Sequence, residues 1–244
     1  MLRSEQQAHV NCLREKIFEV DKYPHFNLLI DMMVDLSFVF DNDHVISLER
    51  TKLYGGYSLF GPLFRNFTAI DLTQGETTPY NDWVLNEERF IPNTRYKFES
   101  IPTSISGKLV CIPNLVHHYP NPRELIHNAK KLLVQGGTAM VFEPLVREVH
   151  QAPHDYFRIT PNGMIDLFDL AGFNDIRCEM TGGPFEVLSY VSRQCLQYIP
   201  EEETLLRREF EIIASNIPPL DKQFTKNLVK ESTFPMAYVV MGTK

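Results

Sequence analysis

An α/β sandwich built on a mostly parallel sheet is the fold this sequence predicts, and three observations carry the prediction. Short β-branched or aromatic runs recur at 45–48, 67–70, 109–112 and 138–142. The stretches between them are too long for hairpins, and crossovers of that length normally carry helices that make the sheet parallel. Two helical stretches, after residues 121 and 160, carry a proline in the first turn and glycine at or beyond the end, the punctuation of helices that feed strands. At 244 residues and 43% hydrophobic composition, the chain suits one large core or one domain with an insertion.

In chain order, residues 1–40 read as a helical covering layer, with Leu13, Ile17 and Phe18 on one face, then Leu28, Leu29, Met32, Met33 and Leu36 at 3- and 4-residue spacing. The core follows over 41–183. Within it, NPRELIHNAKKLLVQGGTAMVF places Leu125, Ile126, Ala129, Leu132 and Leu133 on one stripe before Gly136 and Gly137 stop the helix. TPNGMIDLFDLAGF repeats the design, with Thr160 as cap, Met164, Ile165 and Phe168 facing inward and Gly172 as the stop before a strand near 176–180. Residues 184–235 have a helical look and are surplus to a sheet that needs only a short link, so they are expected to cover a ligand pocket, with ordinary helix packing or a dimer contact as the alternative. Residues 236–244 supply a final strand, expected at the sheet edge.

Lys and Arg total 24 against 31 Asp and Glu, a net charge of −7 that repels phosphate backbones, so nucleic acid is not the expected partner. Cys12, Cys111, Cys178 and Cys195 form no CxxC pair and read as reduced, mostly buried thiols. No signal-peptide core opens the chain, and the most apolar stretch, 28–40, is broken by Asp31 and Asp35, so a cytoplasmic protein without a membrane span is expected.

Ligands of open α/β sheets bind beyond the carboxyl ends of the strands, which directs attention to Glu49, Asp71, the run Asn114 to His118, and the segment from Glu143. A carboxylate at such an end can accept hydrogen bonds from an amino group or from ribose hydroxyls; a solvated or helix-capping acid is the plainer alternative. The intervening loop has Gly55, Gly56 and Gly61 but neither GxGxxG nor GxxxxGK[ST], which disfavours dinucleotides and ATP. HQAPHDYFR brings His154, Asp155, Tyr156 and Arg158 into one loop, and an imidazole beside a carboxylate can act as general base. Adjacent His117 and His118 should point apart, with at most one facing a cleft. His118, His150 and His154 have no helix to present them as ligands, so no metal is expected.

Over residues 98–180 the chain resembles class I S-adenosylmethionine-dependent methyltransferases, in particular the group met in bacterial sugar and surface-polysaccharide clusters. LVCIPNLVHHYPNPRELIHNAKKLLVQGGTAMVFEP is similar to that family's strand, its leucine-glutamate-histidine turn, its helix and its double glycine, with His118 on the usual histidine and His117 on the usual glutamate. APHDYFRITPNGMIDLFDLAGF resembles the group's proline-x-aspartate-tyrosine-x-arginine segment and following helix. The resemblance implies a Rossmann-like sandwich, S-adenosylmethionine as cofactor, and methyl transfer to an oxygen or nitrogen of a small molecule or saccharide. It puts Glu49 and Asp71 at the family's acidic positions, so Glu49, Gly55, Gly56, Asp71, Asn114 and His118 are expected on the cofactor side. On the acceptor side, His154, held by Asp155 or another acid, is the candidate base, with Tyr156 and Arg158 orienting the acceptor. The departure is after Glu49, where the family has a glycine-rich turn and this chain has Arg50, Thr51 and Lys52. Either cofactor binding is altered or lost, or Gly55 and Gly56 give the loop another path. A non-catalytic binding or assembly subunit of methyltransferase shape is the alternative reading.

Overall fold

A computed structural model describes residues 2–17, 20, 23, 25–49, 57–72, 91–92, 94–95, 104–224 and 234–244. Nine strands are described: β1 (His44–Glu49), β2 (Tyr57–Ser58), β3 (Asn66–Asp71), β4 (Ile91–Pro92), β5 (Thr94–Arg95), β6 (Gly107–Pro113), β7 (Leu133–Pro144), β8 (Asn174–Thr181) and β9 (Ala237–Thr243). Seven form one sheet in the order β5-β3-β1-β6-β7-β9-β8, while β2 and β4 pair separately. Within the seven-stranded sheet β5, β3, β1, β6 and β7 pair in parallel and β9 runs antiparallel to both its neighbours, while β2 and β4 pair antiparallel. This is the Rossmann-like α/β sandwich expected from the alternation of strands and crossovers.

Period-two alternation assigns the two faces of the sheet. Val45, Leu109, Cys111, Met140 and Phe142 point to one side, where they pack under α1 (Ser4–Cys12) and α2 (His25–Val39) through Leu29, Ile30 and Met33. Their neighbours Ile46, Val110, Ile112, Ala139 and Val141 point to the other, against α3 (Pro122–Lys131) and α4 (Pro161–Leu170) through Leu125, Ile126, Ala129, Met164 and Phe168. The N-terminal layer is therefore half of the core. Ile17 and Phe18, placed on its inner face by spacing, have side chains outside the described residues. Both crossover helices start as their sequences dictate: Asn121 Oδ1 accepts the Glu124 N–H at 3.2 Å, Thr160 Oγ1 accepts that of Gly163 at 3.2 Å, and a proline opens each helix.

Three details depart from expectation. Helix α3 stops at Lys131 and β7 begins at Leu133, so Gly136 and Gly137 lie inside the strand rather than before it. Gly136 has φ of +68°, and a Cβ on Gly137 would stand 2.9 Å from the Val134 carbonyl, so both are glycines for backbone reasons. Strand β9 is interior, inserted between β7 and β8, and AYVVMGT is buried on both faces there. The edge is β8, whose residues are mostly exposed or half-buried. Finally, Cys178 and Cys195 are only half-buried, whereas Cys12 and Cys111 are buried; all four are free.

Residues 184–224 are helical, as α5 (Pro184–Cys195), α6 (Thr204–Asn216) and α7 (Pro219–Phe224), with a 3₁₀ turn at Leu196–Tyr198. Asp221 of α7 accepts the N-terminal N–H groups of α5, from Phe185 at 3.3 Å and Glu186 at 2.7 Å, where a carboxylate also complements the helix dipole. Buried Tyr190 fixes α5 to the N-terminal layer, with Tyr23 and His25 rings 6.2 and 6.3 Å away and its hydroxyl on Glu148. Among the described residues no helix is long and apolar enough to cross a membrane.

Candidate active site

The strand order reverses between β1 and β6, the switch point at which open α/β sheets leave a crevice beyond their carboxyl ends. The residues at that edge form a row. Asp71 ends β3 and is the register partner of Glu49, which ends β1. Asn114 follows β6, and Glu143 stands near the end of β7, one residue past the Pro113–Phe142 register pair.

Glu49 is only 6% exposed and accepts a hydrogen bond from Ser58 Oγ at 2.9 Å. Asn114 adopts φ of 57°, a left-handed conformation that asparagine tolerates better than most residues, and its Oδ1 is buried without a hydrogen-bond partner among the described residues. The Asp71 side chain, and Gly55 and Gly56 entirely, lie outside the described residues.

Glu143, 3% exposed, reaches back to the turn after β6. It accepts the backbone N–H groups of Val116 at 2.7 Å and His117 at 3.3 Å, and meets His117 Nδ1 at 2.5 Å. That clamp changes the expected geometry of the histidine pair. His117 and His118 do not diverge: both are buried, their ring centroids are 3.9 Å apart, and His150 joins them at 5.3 and 4.8 Å. Adjacent side chains diverge in a strand, but these lie in a 3₁₀ turn, Val116–His118, where the backbone curls. The histidines are thus gathered without a helix to present them.

The loop after β7 is ordered by Asp155 and Arg158. The guanidinium donates from Nη1 to Asp155 Oδ1 at 2.6 Å, from Nη2 to Oδ2 at 2.8 Å, and onward to the carbonyls of Glu148 and Phe157. Asp155 also accepts the His150 N–H at 2.9 Å. Burial alone would raise the Asp155 carboxyl, but the Arg158 hydrogen bonds, the His150 N–H and the Arg158 charge outweigh it and hold the group well below the usual carboxylate range. Asp155 therefore does not hold His154, as the sequence suggested. The partner of His154 Nδ1 is the Tyr156 hydroxyl at 3.0 Å, and the His154 carbonyl accepts from His118 Nδ1 at 2.6 Å. Alternation in an extended loop explains the difference: 154 and 156 fall on one side, 155 on the other.

His118, His154 and Tyr156 line a small pocket with Leu115 and Leu72, the residue that follows β3. The loop after β7 and the residue that follows β3 thus share one opening. Beside it lies an imidazole-rich wall in which Arg147 is paired with Glu148. Burial, the Arg147 charge and the neighbouring His117 and His150 push the His25 imidazole well below its ordinary value, and burial and Arg147 lower His150. Neither the role of Glu143 nor the grouping of His150 with the pair was legible beforehand. The one available signal was an acid at the end of β7 within a chain segment already rich in histidine.

No protein-family model matches the sequence, and no curated protein matches it. In three dimensions the chain is similar to a SAM-dependent methyltransferase from Archaeoglobus fulgidus, with a TM-score of 0.52 and 14% identity, covering 89% of this chain and 94% of that one. It is also similar to a methyltransferase in complex with the Haloferax volcanii Trm112 methyltransferase activator, with a TM-score of 0.53 at 14% identity over 100% and 99% of the two chains. A third likeness is to phosphoethanolamine N-methyltransferase 2 of Haemonchus contortus in complex with phosphomonomethylethanolamine and S-adenosylhomocysteine. Its TM-score is 0.50 at 13% identity, over 88% of this chain and 52% of that one. At these identities the likeness establishes the fold alone, a Rossmann-like α/β sandwich.

Proposed function

We propose that the chain transfers a methyl group from S-adenosylmethionine to an oxygen or nitrogen of a small-molecule or saccharide acceptor. The observation that carries this reading is the row Asp71, Glu49, Asn114 along the carboxyl edge at the switch point. Two carboxylates suit ribose hydroxyls and an ammonium group, and the buried Asn114 Oδ1 awaits a donor that an amino group would supply. The cofactor brings an activated sulfonium methyl, which leaves the protein to align the partners and remove one proton. His154 is the base in this reading. With Nδ1 donating to the Tyr156 oxygen, its Nε2 carries the lone pair, and Asp155 and Arg158 are positioning residues that hold the loop. His118, lining the pocket beside Leu72, stands between the two halves.

Calorimetric titration with S-adenosylmethionine and S-adenosylhomocysteine tests the reading. Micromolar binding of both is expected; no binding of either would leave a methyltransferase-shaped binding or assembly protein. Asp71→Ala is expected to weaken both by about 1–3 kcal/mol, the usual cost of losing hydrogen bonds to a charged acceptor. Unchanged affinity in that variant removes Asp71 from the site.

Residues 184–235, of which 225–233 lie outside the described residues, are proposed as a cover for the acceptor pocket, with α5 tied to the loop after β7 through Tyr190 and Glu148. Hydrogen exchange in this segment is expected to be faster than in the sheet and to slow when cofactor and acceptor bind. Exchange that ignores ligands but slows with protein concentration would make the segment a contact between copies of the chain.

A further inference from the structure

We propose that His117, His118 and His150 form a binding site for a zinc-class divalent cation, each through Nε2. One ring nitrogen of each lies within 4.8 Å of the others. Their tautomers are set from behind. Nδ1 faces Glu143 Oε2 at 2.5 Å in His117, the His154 carbonyl at 2.6 Å in His118, and the Glu148 carbonyl at 3.0 Å in His150, with Asp155 Oδ2 at 3.2 Å. Carbonyl and carboxylate oxygens only accept, so Nδ1 carries the proton in each ring and Nε2 of the neutral ring carries a lone pair. A metal-binding imidazole is oriented by this kind of backing.

Nothing in the ordinary packing of a core explains the Nε2 of His117. The residue is 1% exposed, and that nitrogen is buried without a hydrogen-bond partner among the described residues. A lone pair left so is costly unless something accepts it. The surrounding charge favours a cation: the carboxylates Glu143, Glu148 and Asp155 face two guanidiniums, Arg147 and Arg158, with Arg147 paired to Glu148 and Arg158 to Asp155. Glu143 is the carboxylate that remains, and it backs His117.

Three imidazoles without a thiolate suit zinc or a similar borderline cation rather than a soft monovalent one, and they leave one tetrahedral position for water or substrate. Zn–N bonds of about 2.0–2.1 Å put ligand nitrogens about 3.3 Å apart, against the 4.8 Å within which one ring nitrogen of each histidine lies here, so binding draws the rings together by about 1.5 Å. Residues 147–150 are neither helix nor strand and can make that movement.

Chelator-treated protein titrated with zinc chloride in a calorimeter, without methyl donor, tests this independently of methyl transfer. One equivalent per chain is expected, and cobalt(II) chloride should give the visible bands of a four-coordinate site. His150→Gln should weaken zinc by more than the roughly 10–100-fold that loss of an outer partner costs, and Glu143→Gln by about that range. His127→Gln, on the exposed face of α3, should change nothing. Zinc uptake below one equivalent, or uptake indifferent to His150→Gln, overturns the site. So does a nitrogen NMR signature of doubly protonated His117 at neutral pH that zinc does not alter, which would make the cluster an imidazolium–carboxylate pair.

Discussion

Replacing Glu143 with alanine is expected to destabilise the protein by about 3–5 kcal/mol, the range for removing one partner of a buried ionisable pair. The carboxylate accepts two backbone N–H groups and faces the His117 ring, all in the interior, and alanine leaves three polar groups without partners. Each such orphan costs about 1–3 kcal/mol, less what water entering the cavity recovers. In a chain of this length the loss corresponds to a fall in Tm of roughly 6–20 °C. Glu143→Gln keeps an acceptor for the turn and is expected to lose about half as much. Urea denaturation with an unchanged m value gives the measurement. A loss under about 1 kcal/mol in the alanine variant would mean that the 115–118 turn is held by other contacts.

That prediction rests on a contact between residues 26 apart in sequence, and such contacts mark the limit of what the chain discloses on reading. Strands β1, β3, β6 and β7 are legible because each is an apolar run that must be covered on both faces, and α3 and α4 because caps and prolines are local chemistry. The place of β9 is not local. An apolar heptad-length run says that the strand is buried, yet whether it closes an edge or slides between two strands depends on where β8 already lies. The same holds for the site. The placement of Glu49, Asp71 and Asn114 at strand ends is legible because the alternation of strands fixes it, whereas the partner of His154 depends on which side of the loop each residue takes. Parity puts Tyr156 beside His154 and turns Asp155 to Arg158 and His150, and sequence adjacency suggested the opposite. The convergence of His117, His118 and His150 needs a turn, a strand-borne acid and a loop at once.

His154→Ala is expected to lower turnover by about 10²–10⁴-fold, the usual cost of losing a general base, while leaving affinity for S-adenosylmethionine within about twofold. The separation follows from position. His154 belongs to the loop after β7, on the proposed acceptor side of the shared pocket, and the proposed cofactor row runs along β3, β1 and β6. Tyr156→Phe removes the hydroxyl at Nδ1 but keeps the imidazole, so it should lower turnover less, by about 10-fold. Arg158→Ala should loosen the whole loop and reduce turnover with some loss of stability, which thermal melting would register and which is not expected for His154→Ala. Tritiated methyl donor, with transfer followed at saturating cofactor across pH, distinguishes the three variants. If His154→Ala retains full turnover, or loses cofactor affinity in proportion to turnover, the imidazole is not the base and the proton leaves by another path.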